Sequence, residues 1–481
     1  MKSKKLRVSL LVAALLVLSF AVFTGVRAVS FKNTQDVSAL TAEESFELTQ
    51  FLLSEYPDEY QTLKKLPYNI SQPVLDVWAK AAILVDVSNG SILYQKNADE
   101  IIPPASMTKL FAMYVVEEEI ASGRFSYDQV IPLPPESWAC NMPPHSSLMF
   151  LGKGQRVTME ELLLGLSICS GNDAAYALAY TVSGTMEAFV ERMNLVAADL
   201  GLTNTHFVES SGYSELNQTT AREMAEFATI YLRRHPDSLR RFHSVLSFTY
   251  PKTKNLAPGE KLASQDFTQG LPERITMPIT QENTNPLLGK LPGCDGLKTG
   301  YIDESGYNLS LTAVRDETRF LSVTMGGPGN NAREGQAGRV HDGTELMEWA
   351  FANFADSSLE LKVHPYLVRS FNASQKMLRL VPAFTEHTIT VPYVTGSSMS
   401  ENLDSLHVEV QLPSYCWGSV EQGQPYGKII ISISDYVLQE IPLVADRSLN
   451  KGNIFTSASD AILRQIYLHL NKKSDKVNIK L

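Results

Sequence analysis

The chain has 481 residues, 44% of them hydrophobic and 20% charged, with a formal net charge of -10 at pH 7. This length accommodates about two to four domains, and this balance builds a buried core and excludes an intrinsically disordered chain. The acidic surplus disfavours a nucleic-acid partner, which selects a basic face; four cysteines (Cys140, Cys169, Cys294, Cys416), none in a C-x-x-C pair, exclude a disulfide framework and a cysteine-built zinc site.

At the N-terminus Lys2, Lys4, Lys5 and Arg7 precede an apolar run over residues 10–26, which closes on Val26-Arg27-Ala28, a small-residue cleavage signature. Residues 1–28 read as a signal peptide or, because the run approaches the ~18 residues of a bilayer span, as an uncleaved anchor. Both readings export the rest of the chain. Without this segment's five positive charges (Lys2, Lys4, Lys5, Arg7, Arg27) the remainder carries a formal charge of -15. Residues 29–78 form an acidic extension in which Glu43, Glu44, Glu47 and Glu55 are interleaved with Phe46, Phe51 and Leu52, expected as one or two short helices without chemistry.

Residues 81–87 predict a strand, Ser88-Asn89-Gly90 a turn and residues 91–94 a second strand, together a hairpin. Pro103-Pro104 then hold the chain extended ahead of Ala105-Ser106-Met107-Thr108-Lys109, and the apolar-rich run 110–120 predicts a helix, so Ser106 falls at or near its N-terminus. Lys109 lies one turn on and shares the face of Ser106, and the unpaired N–H groups of a first turn favour negative charge beside the serine. The two are a candidate nucleophile and base. Alone the pair fits an N-cap with a solvated lysine equally well, and Ser448-Leu449-Asn450-Lys451 repeats its spacing.

Thr158-Met159-Glu160-Glu161 is a capping-box start to a buried helix over 162–168, which breaks at Cys169-Ser170-Gly171-Asn172-Asp173 before helices over 174–180 and 186–200. Polar side chains at such a break either satisfy helix ends or face a cleft. Residues 294–314 and 319–327 predict antiparallel strands, with Lys298 over one face, and a helix over 339–354 follows. Strands at both ends of a helical middle predict an α+β domain over 79–356, an antiparallel sheet with helices plus a helical lobe. Short β runs at 408–411, 428–433 and 438–444 predict a small all-β domain over 357–456. Within 457–481, Ile462, Leu463, Ile466, Tyr467 and Leu470 share one helical face, which either lies on a membrane or docks on the β domain.

Ser106-Met107-Thr108-Lys109, Ser170-Gly171-Asn172 and Lys298-Thr299-Gly300 occur in this order, about 60 and 130 residues apart. They match the S-x-x-K, S-D-N and K-T-G set of β-lactamases and penicillin-binding proteins, with Gly171 in place of the aspartate. Together with Asn97-Ala98-Asp99, the stretch 145–151, Leu200-Gly201-Leu202 and Asp295-Gly296-Leu297, they make residues 80–355 resemble the low-molecular-mass penicillin-binding proteins, the D-alanyl-D-alanine carboxypeptidases of the penicillin-binding protein 5 type. Residues 360–470 resemble more loosely that family's β-rich domain and C-terminal amphipathic anchor.

The resemblance implies a β-lactamase/transpeptidase-like catalytic domain that removes the terminal D-alanine from peptidoglycan stem peptides through an acyl-enzyme and is acylated by β-lactams. It implies no metal or cofactor, and a location outside the cytoplasmic membrane, attached to it. Ser106 would be the nucleophile and Lys109 its general base, with an amine pKa lowered by burial and by the cation Lys298. Ser170 would relay protons to the leaving amine and Asn172 would bind the substrate backbone. Lys298 and Thr299 would hold the terminal carboxylate, Gly300 would keep the strand edge open, and the backbone N–H groups of Ser106 and Tyr301 would form the oxyanion hole.

Two further departures from the family pattern bear on carboxylate recognition: Ile302 replaces a threonine found in many members, and Thr284 a basic residue found in some. A class A β-lactamase is disfavoured by Gly171 and by the want of a glutamate for the deacylating water. A D,D-endopeptidase shares the motifs, and a non-catalytic wall-binding scaffold is opposed by their intact polar residues.

Overall fold

The computed structural model describes residues 42–55, 62–66, 68, 74–358, 365–383, 388–392, 406–433, 436–470 and 476–479. The expected signal segment and the start of the acidic extension lie outside these residues. The chain divides into two units, Thr62–Asp356 and a second that joins the chain up to Gln61 with Ser357–Leu481.

In the first unit the expected hairpin forms between β1 (Ala81–Asp86) and β2 (Ser91–Lys96). Three long antiparallel strands follow much later in the sequence: β3 (Cys294–Ile302), β4 (Gly306–Arg315) and β5 (Thr318–Gly327). With a two-residue parallel strand at Lys64–Lys65 they make one sheet, ordered 64–65, β2, β1, β5, β4, β3. Strand β3 is therefore an edge among the described residues. The central strands β1, β4 and β5 are buried almost throughout, because helices pack on the sheet: α5 (Ala221–Arg234) on β1 and β5, α6 (Ala332–Asn353) on β4 and β5.

The helical lobe is α1 (Lys109–Ala121), α2 (Met159–Ser167), α3 (Asn172–Ser183) and α4 (Met186–Asp199). The capping box read from the sequence is present: Thr158 Oγ1 accepts from the Glu161 N–H, and the Glu161 carboxylate accepts from the Thr158 N–H. Helix α1 is buried on every side from Lys109 to Glu117, as a helix apolar all round must be. Phe111 stacks on Phe227 at 3.5 Å between ring centroids and meets Phe207 at 4.7 Å. Helix α6 begins seven residues before the expected 339. The Asn331 side chain caps it through the Glu334 N–H, a signal obscured by the glycines of the first turns.

The second unit is a seven-stranded sheet ordered 416–417, β6 (Tyr366–Phe371), β7 (Met377–Pro382), β10 (Tyr436–Ala445), β9 (Pro425–Ile433), β8 (Leu406–Gln411), β11 (Lys476–Ile479). Helix Ala42–Glu55 belongs to it, with Phe51 against Gly423. The C-terminal helix α7 (Ile454–Leu470) docks one face on β6: buried Asp460 accepts from the Asn372 N–H at 2.7 Å, and Tyr467 meets Phe371 edge-on at 5.8 Å. Within the segment 457–481, expected as an amphipathic helix, the described helix covers residues up to Leu470 and Lys476–Ile479 is a strand. Val477 and Ile479 alternate with Lys476 and Asn478 in strand period, and that segment pairs with β8.

The Phe111→Ala substitution is expected to destabilise the Thr62–Asp356 unit by about 3–5 kcal/mol, seen as a lower urea midpoint with an unchanged slope. A loss below 1 kcal/mol would show that α1 is not the centre of this core.

Candidate active site

Residues Ala105–Thr108 form a 3-10 turn that runs straight into α1, with Pro104 as its N-cap. Ser106 is thus inside the turn, and its hydroxyl is not spent on capping. Ala105 is held at φ +49°, a left-handed conformation costly for a residue with a Cβ.

The Lys109 side chain is fully buried, and its amine has three acceptors: Ser106 Oγ at 2.9 Å, Asn172 Oδ1 at 2.8 Å and the Ser211 carbonyl at 2.5 Å. Asn172 sits at the first turn of α3 and donates to Ser146 Oγ at 3.1 Å. Lys298, on β3 and 1% exposed, donates to Ser170 Oγ at 3.0 Å and to the Thr299 carbonyl at 3.0 Å. Ser170 adopts φ +56°, a second non-glycine left-handed residue in the same site. Thr299 Oγ1 donates to Thr284 Oγ1 at 2.8 Å, so the residue standing in for a basic side chain engages the Lys-Thr-Gly strand directly. Tyr301 follows on the same strand, half-exposed and stacked on Tyr307 at 4.3 Å.

Electrostatics divides the two lysines. Burial pulls the Lys109 amine down to about 7, against the upward pull of the Glu209 and Asp173 carboxylates. Lys298 is pushed well below its usual range by burial, then by Lys109 and by Arg339. Desolvation is the largest cause at each lysine, and the repulsion between the two amines disfavours a second cation beside the first.

Two glycines are fixed by close approach. A Cβ at Gly300 would lie 2.5 Å from the Pro104 carbonyl oxygen and 3.2 Å from the Met107 nitrogen, so glycine is what lets β3 lie against the serine turn. A Cβ at Gly171 would lie 2.7 Å from Asp173 Oδ1 and 2.9 Å from the Met149 nitrogen. The space of a Ser-Asp-Asn aspartate is already taken by Asp173, which accepts from the Met149, Leu151 and Ala174 N–H groups at 2.8–2.9 Å.

Sequence reasoning missed several supporting residues. Arg339 bonds the carbonyls of Gly300 and Asn308 from α6 and lies over the Tyr307 ring at 5.0 Å. His243 Nδ1 is 3.3 Å from the Leu297 carbonyl, and its Nε2 is 2.9 Å from the Tyr231 hydroxyl, which donates to Glu117. Glu209 and Asn217 brace the loop that carries Ser211. Only the Glu209-Ser210-Ser211-Gly212 turn, an acid among donors, left a trace in the sequence.

A family model described as D-alanyl-D-alanine carboxypeptidase matches residues 67–329, more than half of the chain. The chain belongs to the D-alanyl-D-alanine carboxypeptidase family. It is 28% identical over 380 residues to D-alanyl-D-alanine carboxypeptidase DacF of Bacillus subtilis (strain 168), covering 79% of this chain and 87% of the relative. It is also 28% identical over 422 residues to DacA of Escherichia coli (strain K12), covering 85% and 91%. The solved structure of penicillin binding protein 5 from Haemophilus influenzae superposes with a TM-score of 0.63 at 28% identity, over 80% of this chain and all of that one. Family and fold together make the protein a serine-type D-alanyl-D-alanine carboxypeptidase with a sheet-rich C-terminal region.

In this carboxypeptidase, Gly171→Asp is expected to lower stability by at least about 1–3 kcal/mol through overpacking against Asp173 and to cut D-alanine release at least about tenfold by displacing Ser170 and Asn172. Wild-type melting temperature and rate would show that the Asp173 carboxylate does not occupy that space.

Proposed function

We propose that Ser106 is the nucleophile that takes the penultimate D-alanine carbonyl of a peptidoglycan stem peptide as an acyl-enzyme, with Lys109 as its base. What carries this reading is the continuous hydrogen-bonded set from Ser106 through Lys109 to Asn172, beside the Lys298–Ser170 pair. A neutral amine has two N–H groups and one lone pair. With Asn172 Oδ1 and the Ser211 carbonyl accepting the two N–H groups, the lone pair is left for the Ser106 proton.

The substrate lies along the edge of β3 as an added strand, its terminal carboxylate toward Lys298, Thr299 and the Arg339 charge behind Gly300. Ser106 Oγ attacks the carbonyl carbon, and the oxyanion is met by the Ser106 and Tyr301 N–H groups, each worth about 3–4 kcal/mol in such sites. The proton taken by Lys109 passes by Ser170 to the departing D-alanine nitrogen, Lys298 setting the orientation of the Ser170 hydroxyl. Water then attacks the ester by the reverse path. β-Lactams acylate the same serine. Burial of both lysines supports this division of labour: the free energy cost of a buried cation keeps Lys109 available as a base near neutral pH.

The cell context rests on two further features. Residues 1–28 export the chain, and α7 attaches it to the membrane through Ile454, Phe455, Ile462 and Ile466, all exposed beside the docked face. No helix among the described residues is long and apolar enough to cross a membrane. The domain scheme proposed is an acidic extension at 29–78, a catalytic domain at 79–356 and a β-rich domain from 357 onward that carries helix α7 and strand β11.

Release of D-alanine from an N-acylated peptide ending in D-Ala-D-Ala is expected to fall at least about 10⁴-fold in Ser106→Ala; retained turnover would remove the serine from the reaction. In the wild type, kcat/KM is expected to fall tenfold per pH unit below about 7, where the Lys109 amine becomes protonated. A flat profile from pH 5 to 8 would remove the lysine as base.

A further inference from the structure

The third acceptor of the Lys109 amine comes from outside the three motifs, from a loop whose shape one carboxylate determines. Glu209 Oε2 accepts from the Ser211 N–H at 2.6 Å and the Ser211 hydroxyl at 2.5 Å. Its Oε1 accepts from the Gly212 N–H at 2.6 Å, from Asn217 Nδ2 at 2.9 Å and from the Ser214 N–H at 3.4 Å. Both oxygens of one side chain thus gather the donors of residues 211–217, the pattern of an anion bound in a backbone nest.

The loop is tied to the nucleophile at two more points. Asn217, fully buried, donates to Thr108 Oγ1 at 3.2 Å, next to Lys109 in sequence. A Cβ at Gly212 would sit 1.8 Å from the Ala105 carbonyl oxygen and 2.8 Å from the Ser106 nitrogen, so the loop backbone lies directly on the serine turn.

We propose that Glu209 is a positioning residue for the general base: its carboxylate fixes the 209–217 loop so that the Ser211 carbonyl holds the Lys109 amine with its lone pair toward Ser106. The proposal rests on the assignment of Lys109 as base. Without the carboxylate, five donors converge on no acceptor, the Ser211 carbonyl is released, and the amine is free to rotate away from the serine.

Charge gives the role a signature that a scaffold residue would lack. The charged groups facing Lys109 are Glu209 from this loop, Asp173 from α3 and Lys298 from β3; Glu209 also acts on Tyr176 of α3. Glu209 and Asp173 both favour the protonated amine. Removing the Glu209 charge therefore lets the amine lose its proton at lower pH, even as the geometry worsens.

The test uses the full chain and pH profiles of kcat and KM for an N-acylated D-Ala-D-Ala peptide. Glu209→Gln is expected to lower kcat about 10- to 100-fold with little change in KM, and to move the acid limb of kcat/KM about one pH unit toward acid. Glu209→Asp keeps the charge on a shorter arm and is expected to lose kcat with the limb in its wild-type place. A Glu209→Gln profile that keeps both height and limb overturns the proposal, as does one that only scales down. If Glu209→Gln does not fold, Glu209→Asp decides: wild-type kcat in a folded protein overturns the role, and a lowered kcat with an unmoved limb upholds it. A wild type without any acid limb refutes Lys109 as base, a failure separable from that of Glu209 because no variant is needed to see it.

Discussion

A lysine amine sealed from water against a serine hydroxyl is the constraint that the rest of the catalytic unit serves. Ionised, Lys109 would incur the full cost of a buried charge, and burial holds its pKa near 7 even with two carboxylates pulling it up. Neutral, it still carries two N–H groups that must be paired in the interior, and Asn172 and Ser211 pair them. The acceptors come from a helix start and a loop more than sixty residues downstream of the serine turn, so the base exists only once the helical lobe has closed around α1.

Holding a second lysine beside the first requires the sheet. Lys298 reaches Ser170 from an edge strand braced from behind by Arg339 on α6 and by His243, whose ring burial keeps neutral with a pKa of about 4. The supporting network extends through Tyr231 to Glu117, a carboxyl raised to about 7 by burial. Left-handed backbone at Ala105 and Ser170 places two strained residues one bond from, or at, the reacting groups, a cost of about 1–3 kcal/mol each that only a well-packed surround sustains.

Much of this was legible in the sequence because it is local. The hairpin, the capped helix α2 and the serine-lysine spacing are set by residues within a turn or two of one another, and the three motifs keep their order along the chain. That Lys298 and Ser170 belong to one site follows from the family resemblance, since nothing in the spacing alone brings residues 128 positions apart together; their direct contact is a finding of the structure. Residues acting over long range were not legible. Arg339 reads as an ordinary helix cation until β3 is placed beneath it, Asp173 as an ordinary N-terminal helix acid until Met149 and Leu151 turn their N–H groups to it. Gly171, which in the sequence serves only to disfavour a class A β-lactamase, is also required by the packing of Asp173. Glu209 leaves only its turn as a trace, because three of its five donors are backbone N–H groups, which make no side-chain pattern to read.

The proposed reaction requires an acyl-serine at one position. Mass spectrometry of the purified chain after brief exposure to benzylpenicillin, followed by peptide mapping, reads it directly. A single added penicilloyl mass is expected on the peptide containing Ser106, lost slowly as the ester hydrolyses. No adduct together with no penicillin hydrolysis, or an adduct mapped to a different residue, would contradict the proposed reaction.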